Sequence, residues 1–286
     1  MFQKFITADS WALPGSPSGK SLEKLRSETK VMIKELPSLF SKATNIRVPG
    51  PRDRLVDFFS TGASKEAWLK LKGGMWYLSS NFDMFYDILG FYMMSSGIND
   101  VAVVQPSWHF DKLFPGKSFL DFSKFLVPVC VNNDHWVLFL VDKQKTSIRF
   151  FDSLGTAPPE KAATDRVHYL FNYFGEDLSK YTVETVATFK QDNGSDCGPF
   201  AVAFSFFLAA GMAFSPTFFQ PPGNVRLFCT RLLYETVLAY VTWSEQGNII
   251  ESGYEPEKEE TTSAVTDADV LDAGDEAVGS LDDTGI

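Results

Sequence analysis

An α+β fold is predicted for this chain, and three features of the sequence predict it. The first hundred residues carry helix-like apolar spacing and almost no strand-like runs. Between residues 101 and 151 the pattern shifts to short, β-branched and aromatic stretches separated by tight polar turns. Beyond them, helical and strand segments follow without the regular alternation that builds a parallel βαβ sheet.

The elements follow in order. Residues 1–20 are rich in Ser, Pro and Gly, with Trp11 and Leu13 as isolated apolar points. Ser21 can cap a helix running to about Leu36, with Leu22, Leu25, Val31, Ile33 and Leu36 as its apolar stripe. Pro49-Gly50-Pro51 is a clear break. Short helices are expected from Asp53 to Phe59 and from Ser64 to Leu71, then a buried, aromatic-rich helix from Asn81 to Ser95. Strands are expected at Val101 to Gln105 and Leu126 to Val131. Trp136 to Val141 is apolar on both faces, which suits a central strand. After the polar turn region Asp142 to Ser147 the chain returns as a strand to Phe151. A helix from Pro158 to Phe174 and a strand from Tyr181 to Phe189 come next. Cys197 to Ala210 reads as a helix closed by Gly211, and Val225 to Val241 as the last helix.

Composition narrows the function. The 26 bases and 36 acids give a net charge of −10, so there is no basic excess to hold a nucleic-acid backbone. Twelve of the acids and only one base, Lys258, fall in residues 251–286, and the rest of the chain is near neutral. That segment has no Phe, Trp or Met, and it is expected to be disordered, because it cannot bury enough apolar surface to offset its ordering entropy. Three Cys make neither a disulfide scaffold nor a zinc ribbon. A metal site built from Cys130, His135 and Cys229 lacks ligand spacing, and neither metal nor cofactor is expected. The start of the chain lacks the apolar core of a signal peptide. The longest apolar stretch, Pro199 to Phe214, is shorter than the ~20 residues of a membrane span. The single sequon, Asn193-Gly194-Ser195, adjoins the candidate nucleophile, where a glycan would cover the site. The reading is of a soluble protein of the nucleus or cytoplasm.

The chemistry centres on Gln191-Asp-Asn-Gly-Ser-Asp-Cys197-Gly-Pro199 ahead of an apolar helix. Asp196 can occupy the N-cap and Cys197 the first helical position. Pro199 lies in the first turn, where its missing N–H costs nothing. A thiol at a helix N-terminus meets the positive end of the dipole, and free N–H groups there can hold an oxyanion. Such a nucleophile needs a base. His109 sits in an aromatic segment and His168 on a helix, whereas His135 opens the central strand directly after Asn132-Asn133-Asp134. The base needs an acceptor. If Lys143-Gln144 is the centre of the hairpin turn, Asp152 stands directly across from His135, with Cβ atoms about 5 Å apart. Asp142 lies about 23 Å along the same strand, and Asp134 points to the opposite face. Cys130 and Cys229 read as buried small apolar residues.

Three blocks then stand in order: Asn133-Asp-His135-Trp136-Val-Leu138, Phe150-Phe-Asp152-Ser-Leu154 and Gln191-x-Asn-Gly-x-Asp-Cys197-Gly198. Together they resemble the catalytic core of the ubiquitin-like-protein-specific cysteine proteases, the family of the SUMO-specific proteases, deneddylases and adenovirus-type proteases. The resemblance covers about residues 70–245. It implies the cysteine-protease fold of that family, a central mixed sheet flanked by helices. It implies Cys197 as nucleophile, His135 as general base, Asp152 as its orienting carboxylate and Gln191 as an oxyanion donor. Trp136 would help cover a narrow channel for the extended Gly-Gly end of a modifier, and Trp76 would be a second channel residue. Two departures stand out. Trp76-Tyr77-Leu78 precedes Asn81-Phe82-Asp83 with a spacing unlike the family's early motif, and Pro199 replaces an aliphatic residue.

The domain organisation this implies is an N-terminal extension, partly helical, over residues 1–60, a catalytic domain over 61–248 and the acidic tail over 249–286. The activity implied is that of a thiol peptidase or isopeptidase cutting after the Gly-Gly end of a ubiquitin-like modifier, SUMO first. Its partners are the modifier and its conjugates, with no nucleic acid and no membrane, and the enzyme is expected to be a monomer. Deneddylase or deubiquitinase activity, acyl transfer by the same triad, and binding of a modifier without cleavage are the alternatives.

Overall fold

The structure is a computed structural model, and it describes residues 22–44, 70–71, 74–104, 106, 118–155, 159, 161–211 and 224–243. Two helices open it: α1, Leu22–Thr44, and α2, Ser79–Ser95. The strands β1, Val101–Val103, β2, Lys124–Val131, β3, His135–Asp142, and β4, Ser147–Phe151, follow. Helix α3, Lys161–Tyr173, strand β5, Thr182–Thr185, and helices α4, Cys197–Ala209, and α5, Asn224–Trp243, complete the order.

The five strands lie in the order β1-β2-β3-β4-β5. Both outer pairs are parallel and the two inner pairs antiparallel, which makes the sheet mixed, with β3 at its centre. The β2–β3 turn is made by Asn132 and Asn133, both at positive φ, a conformation Asn tolerates better than most residues. The β3–β4 turn occupies Lys143 to Thr146, and the ladder pairs Asp142 with Ser147 and Leu138 with Phe151. Its centre therefore lies one residue beyond Lys143-Gln144. Asp152 continues that register opposite Val137, not opposite His135. The shift is by two positions, so both side chains stay on one face.

Helix α4 is apolar all round. Of its residues only Leu208 is not fully buried, as expected for a helix enclosed on every side. It packs on β3 and is flanked by α2 and α5. Phe151, Phe189, Phe200 and Phe204 build the ring cluster on this side. On β2 lies α3, where Phe119, Phe125, Phe171 and Phe174 form a second cluster. A buried Tyr86–Ser205 hydrogen bond of 2.7 Å joins α2 to α4.

Several boundaries differ from the sequence reading. Helix α1 continues through Pro37 to Thr44. It packs along α5, where Arg231 meets Glu28 at 3.4 Å and Tyr234 hydrogen-bonds Glu35, and this packing offsets the backbone bond that Pro37 removes. Strand β5 ends at Thr185, well before Phe189. From there the chain leaves the ladder and runs beside the end of β4, tied by Val186 N–H to Phe150 O (2.9 Å) and Gln191 N–H to Ser153 O (2.9 Å). The expected helix 53–59, nearly all of 64–71, the first 20 residues, His109 and the acidic tail lie outside the described residues. Among the described residues no helix is long and apolar enough to cross a membrane.

Candidate active site

Three elements of chain converge at one end of the central strand: the start of β3, the segment after β4 and the N-terminus of α4. His135 is the first residue of β3, and its Nε2 lies 2.8 Å from Asp152 Oδ1. Asp152 is the first residue past β4, freed from the ladder and only 2% exposed. Its Oδ1 also accepts the Leu154 N–H at 2.8 Å, and its carbonyl accepts the Thr188 hydroxyl at 2.7 Å. Both ends of the residue are thereby fixed. Asp142, at the far end of β3, plays no part here; its Oδ1 accepts the Lys145 N–H.

Cys197 opens α4 and is buried, close enough to the His135 ring for its charge to act on the imidazole. Burial alone would lower the imidazole pKa. The hydrogen bond to Asp152 and the partnership with Cys197 outweigh it and push His135 up to about 9. At neutral pH the ring is protonated, between a carboxylate and a sulfur. A sulfur, a protonatable ring and a buried carboxylate so arranged can chemically serve as nucleophile, proton carrier and orienting acid, in the chain order His, Asp, Cys.

The loop that delivers Cys197 is built on Asn193. Its side-chain oxygen accepts the N–H groups of Ser195 (2.9 Å) and Asp196 (3.0 Å), and its amide donates to Asp196 Oδ2 (2.9 Å). Asp196 holds the N-cap position, yet its side chain makes no capping bond to α4. It turns instead to a buried ion pair with Arg226. Gly198 lies against Tyr77, whose Cβ would stand 2.6 Å from any Cβ at that position.

Gln191 sits at the edge of this loop, partly buried. Its Oε1 accepts the Ser153 hydroxyl and its Nε2 donates to Asn193 O. One amide hydrogen thus binds the loop and the other is left for a further acceptor. Trp136 is 6% exposed: its Nε1–H donates to Tyr77 O (2.9 Å) and its ring lies 4.1 Å from that of Phe82. It also lines a small open cavity together with Cys130, Asn133 and Arg166. Trp76 is 44% exposed, next to Tyr77, so it belongs to the surface and not to the core. Cys229 is fully buried, its thiol against Pro199 O at 3.5 Å, and burial pushes it far up. Cys130 is only half-buried, and burial raises it too. His168 stands half-buried on α3. Among the described residues no group of three His, Cys, Asp or Glu is placed to hold a metal ion.

Sequence reasoning did not find Arg226, Tyr77, Ser153 or Thr188. Arg226 carried one signal, a cation among the apolar residues of the first turn of its helix. Tyr77 and Ser153 adjoin Trp76 and Asp152 in the chain but are ordinary residue types, and only the folded chain brings Thr188 to the site.

Residues 108–226 match the family model described as the Ulp1 protease family, C-terminal catalytic domain. Among solved structures, the Ulp1-like SUMO protease catalytic domain of Chaetomium thermophilum is similar at a TM-score of 0.52 and 15% identity, covering 77% of this chain and 90% of that one. The SUMO protease Ulp1 with its catalytic cysteine oxidised to a sulfinic acid is similar at a TM-score of 0.50 and 14% identity, covering 79% of this chain and 100% of that one. The likeness shows the α+β cysteine-protease fold. No curated protein matches the chain by sequence.

Proposed function

Residues 108–226 make the chain a member of the Ulp1 protease family, a family of cysteine peptidases, and from that premise we propose that it cleaves after the C-terminal Gly-Gly of a ubiquitin-like modifier, SUMO first. The observation that carries the reading is the joining of Cys197, His135 and the buried Asp152 at the head of α4. The choice of SUMO is supported by the two similar folds, both SUMO proteases.

In this reading the Cys197 sulfur attacks the carbonyl of the terminal glycine. The C=O electrons move to oxygen, where the Cys197 backbone N–H and the remaining Gln191 amide hydrogen receive the charge. His135 gives its proton to the leaving nitrogen as the C–N bond breaks, releasing a lysine or peptide amine and leaving a thioester on Cys197. Water then attacks the thioester and passes a proton to His135. The modifier leaves with a free carboxylate, and the sulfur and imidazole return to their starting state. Asp152 holds the ring through both proton transfers. Trp136 and Trp76 flank the approach of the flexible tail. The enzyme acts as a monomer in the nucleus or cytoplasm, on free modifier precursors or on conjugates.

The test is covalent capture by SUMO, ubiquitin and NEDD8 probes that bear a C-terminal electrophile. Capture of the SUMO probe by the wild-type chain and not by Cys197→Ser is the expected result. Capture of only ubiquitin or NEDD8 would move the activity to that modifier. No capture at all, with binding retained, would make the chain a recognition module.

A further inference from the structure

Arg226 is the second residue after Asn224 in the first turn of α5, and it is 6% exposed although it carries a full charge. An unpaired buried charge is severely unfavourable, so its partners define its role. Its guanidinium reaches two separate stretches of chain. On one side it meets Asp196 Oδ1 through Nε and Ser195 O through Nη2 at 2.9 Å. On the other it donates to Met75 O and, through Nη1, to Lys70 O at 2.9 Å. The group also lies 5.4 Å from the centre of the Tyr77 ring. Ser195 and Asp196 lead directly into Cys197, while Met75 leads into Trp76 and Tyr77. Tyr77 itself closes on Gly198 and accepts the Trp136 indole N–H. A single planar cation with its donors in a fixed fork thus ties the loop bearing the sulfur to the Trp76-Tyr77 segment, which packs on Gly198.

We infer that Arg226 is a positioning residue: it sets the start of α4, and with it the Cys197 sulfur and backbone N–H, relative to His135 and to the Trp76-Tyr77 segment. The inference rests on the reading of Cys197 as the nucleophile. It explains why Asp196 holds the N-cap position without capping α4. Its carboxylate is held by Arg226 and Asn193 instead, which anchors the loop from outside the helix. Arg226 acts on Cys197 through Ser195 and Asp196, which it holds directly.

The test uses the full chain and reads two quantities in each folded variant: kcat on the preferred modifier conjugate, and the rate at which iodoacetamide alkylates Cys197, located by mass spectrometry. Arg226→Met strands Asp196 as a buried unpaired charge, so the informative variant is Arg226→Met with Asp196→Asn. A misplaced sulfur should lower kcat by about 10- to 100-fold, the scale of a displacement near 1 Å, with KM changed much less. Alkylation of Cys197 should slow as well, and its pH dependence should shift. Arg226→Lys keeps the charge but not the fork and should fall in between. Wild-type kcat and alkylation in either folded variant would overturn the proposal. Loss of folding in both would overturn it too, because Arg226 would then be holding the fold and not the site. Alkylation needs no modifier, so a wrong modifier assignment leaves this test intact. An active Cys197→Ser enzyme would instead remove the nucleophile reading itself.

Discussion

Asp152 meets His135 along a diagonal of the β3–β4 hairpin: the ladder ends with Leu138 opposite Phe151, yet the carboxylate lies 2.8 Å from Nε2 of a residue three places earlier on β3. Diagonal neighbours on an antiparallel pair are separated by more than directly opposed ones, and a carboxylate leaving the strand end can close that gap. Leaving the ladder also frees Asp152 for the Leu154 N–H and the Thr188 hydroxyl. The result is an acid whose direction is set by three separate contacts before any substrate arrives.

The Asp152→Asn variant is the direct test of that geometry. An amide can still accept from Leu154, so the fold should hold, with a small change in Tm. It can also present its NH2 group to the ring, which disfavours the protonated imidazole. The expected loss is at least ~100-fold in kcat, the scale of misoriented triads. Asp142→Asn and Asp134→Asn, whose side chains are not hydrogen-bonded to His135, should each cost less than about threefold in kcat. Steady-state kinetics on the three purified variants, with circular dichroism melts alongside, provides the comparison.

The pH dependence follows from His135. Its folded pKa of about 9 lies above the ordinary 6.5, so its ion pairing stabilises the fold fully below about pH 6.5 and is lost as pH rises through about 9. In the same window the ring loses the proton it must give to the leaving amine. An alkaline limb near pH 9 is therefore expected in kcat/KM, accompanied by a falling Tm. In Asp152→Asn the limb should move to lower pH, because the largest contribution raising the ring's pKa is gone. A limb that stays near 9 in that variant would show that Cys197 alone holds the proton on the ring.

Much of this site was readable from the chain because its residues sit in local patterns. An apolar strand opened by His135, a strand ended by Asp152 and a helix opened by Cys197 are each visible in a short window. The register was misplaced by two because the turn takes four residues, Lys143 to Thr146, with Thr146 at a φ of 50° that nothing in its side chain announces. The pair survived the error because a shift of two preserves the face. Arg226 was not readable in the same way. It stands 30 residues from Asp196 and 151 from Met75, and only the packing of α5 beside α4 brings these groups together. The extent of β5 failed for a related reason: Val186 to Phe189 has strand-like composition, but the chain there turns to supply Thr188 to Asp152.

Gly198 offers a steric test of the Tyr77 contact. A Cβ at that position would stand 2.6 Å from Tyr77 Cβ and 3.1 Å from its Cγ. These atoms are not the free end of a side chain, since the Tyr77 carbonyl is bonded to Trp136 and the ring stacks on Phe85. Something must therefore shift. Gly198→Ala should cost about 1–3 kcal/mol in stability, as overpacking does. It should also reduce kcat, because the displaced atoms adjoin Cys197. Gly194, with nothing near its missing Cβ, is the control, and Gly194→Ala should leave both unchanged. Urea melts and kinetics on the two variants would show whether the contact with Tyr77, or glycine at any position in the loop, is what matters.

Gln191 presents two outcomes that kinetics can separate. Its carbonyl oxygen is fixed by Ser153 and one amide hydrogen by Asn193 O, so the group is oriented before substrate binds. If the other hydrogen meets the developing oxyanion, its hydrogen bond strengthens only as charge forms on the carbonyl oxygen, and the effect belongs in kcat. Gln191→Ala should then cost roughly 2.7–4 kcal/mol of transition-state stabilisation, the scale of one lost oxyanion donor. KM and binding of an intact modifier should barely move. Ser153→Ala, which frees the amide to rotate but leaves it in place, should give a smaller loss in the same parameter. If Gln191 instead serves only to brace the Asn193 loop, its removal should lower Tm and slow Cys197 alkylation, while kcat per alkylatable thiol stays within threefold of wild type. A Gly-Gly-aminocoumarin conjugate of the preferred modifier supplies the rate, and thiol titration supplies the denominator. The first pattern keeps Gln191 among the groups that act on the substrate; the second assigns it to the support of the loop and leaves the Cys197 N–H as the main oxyanion donor.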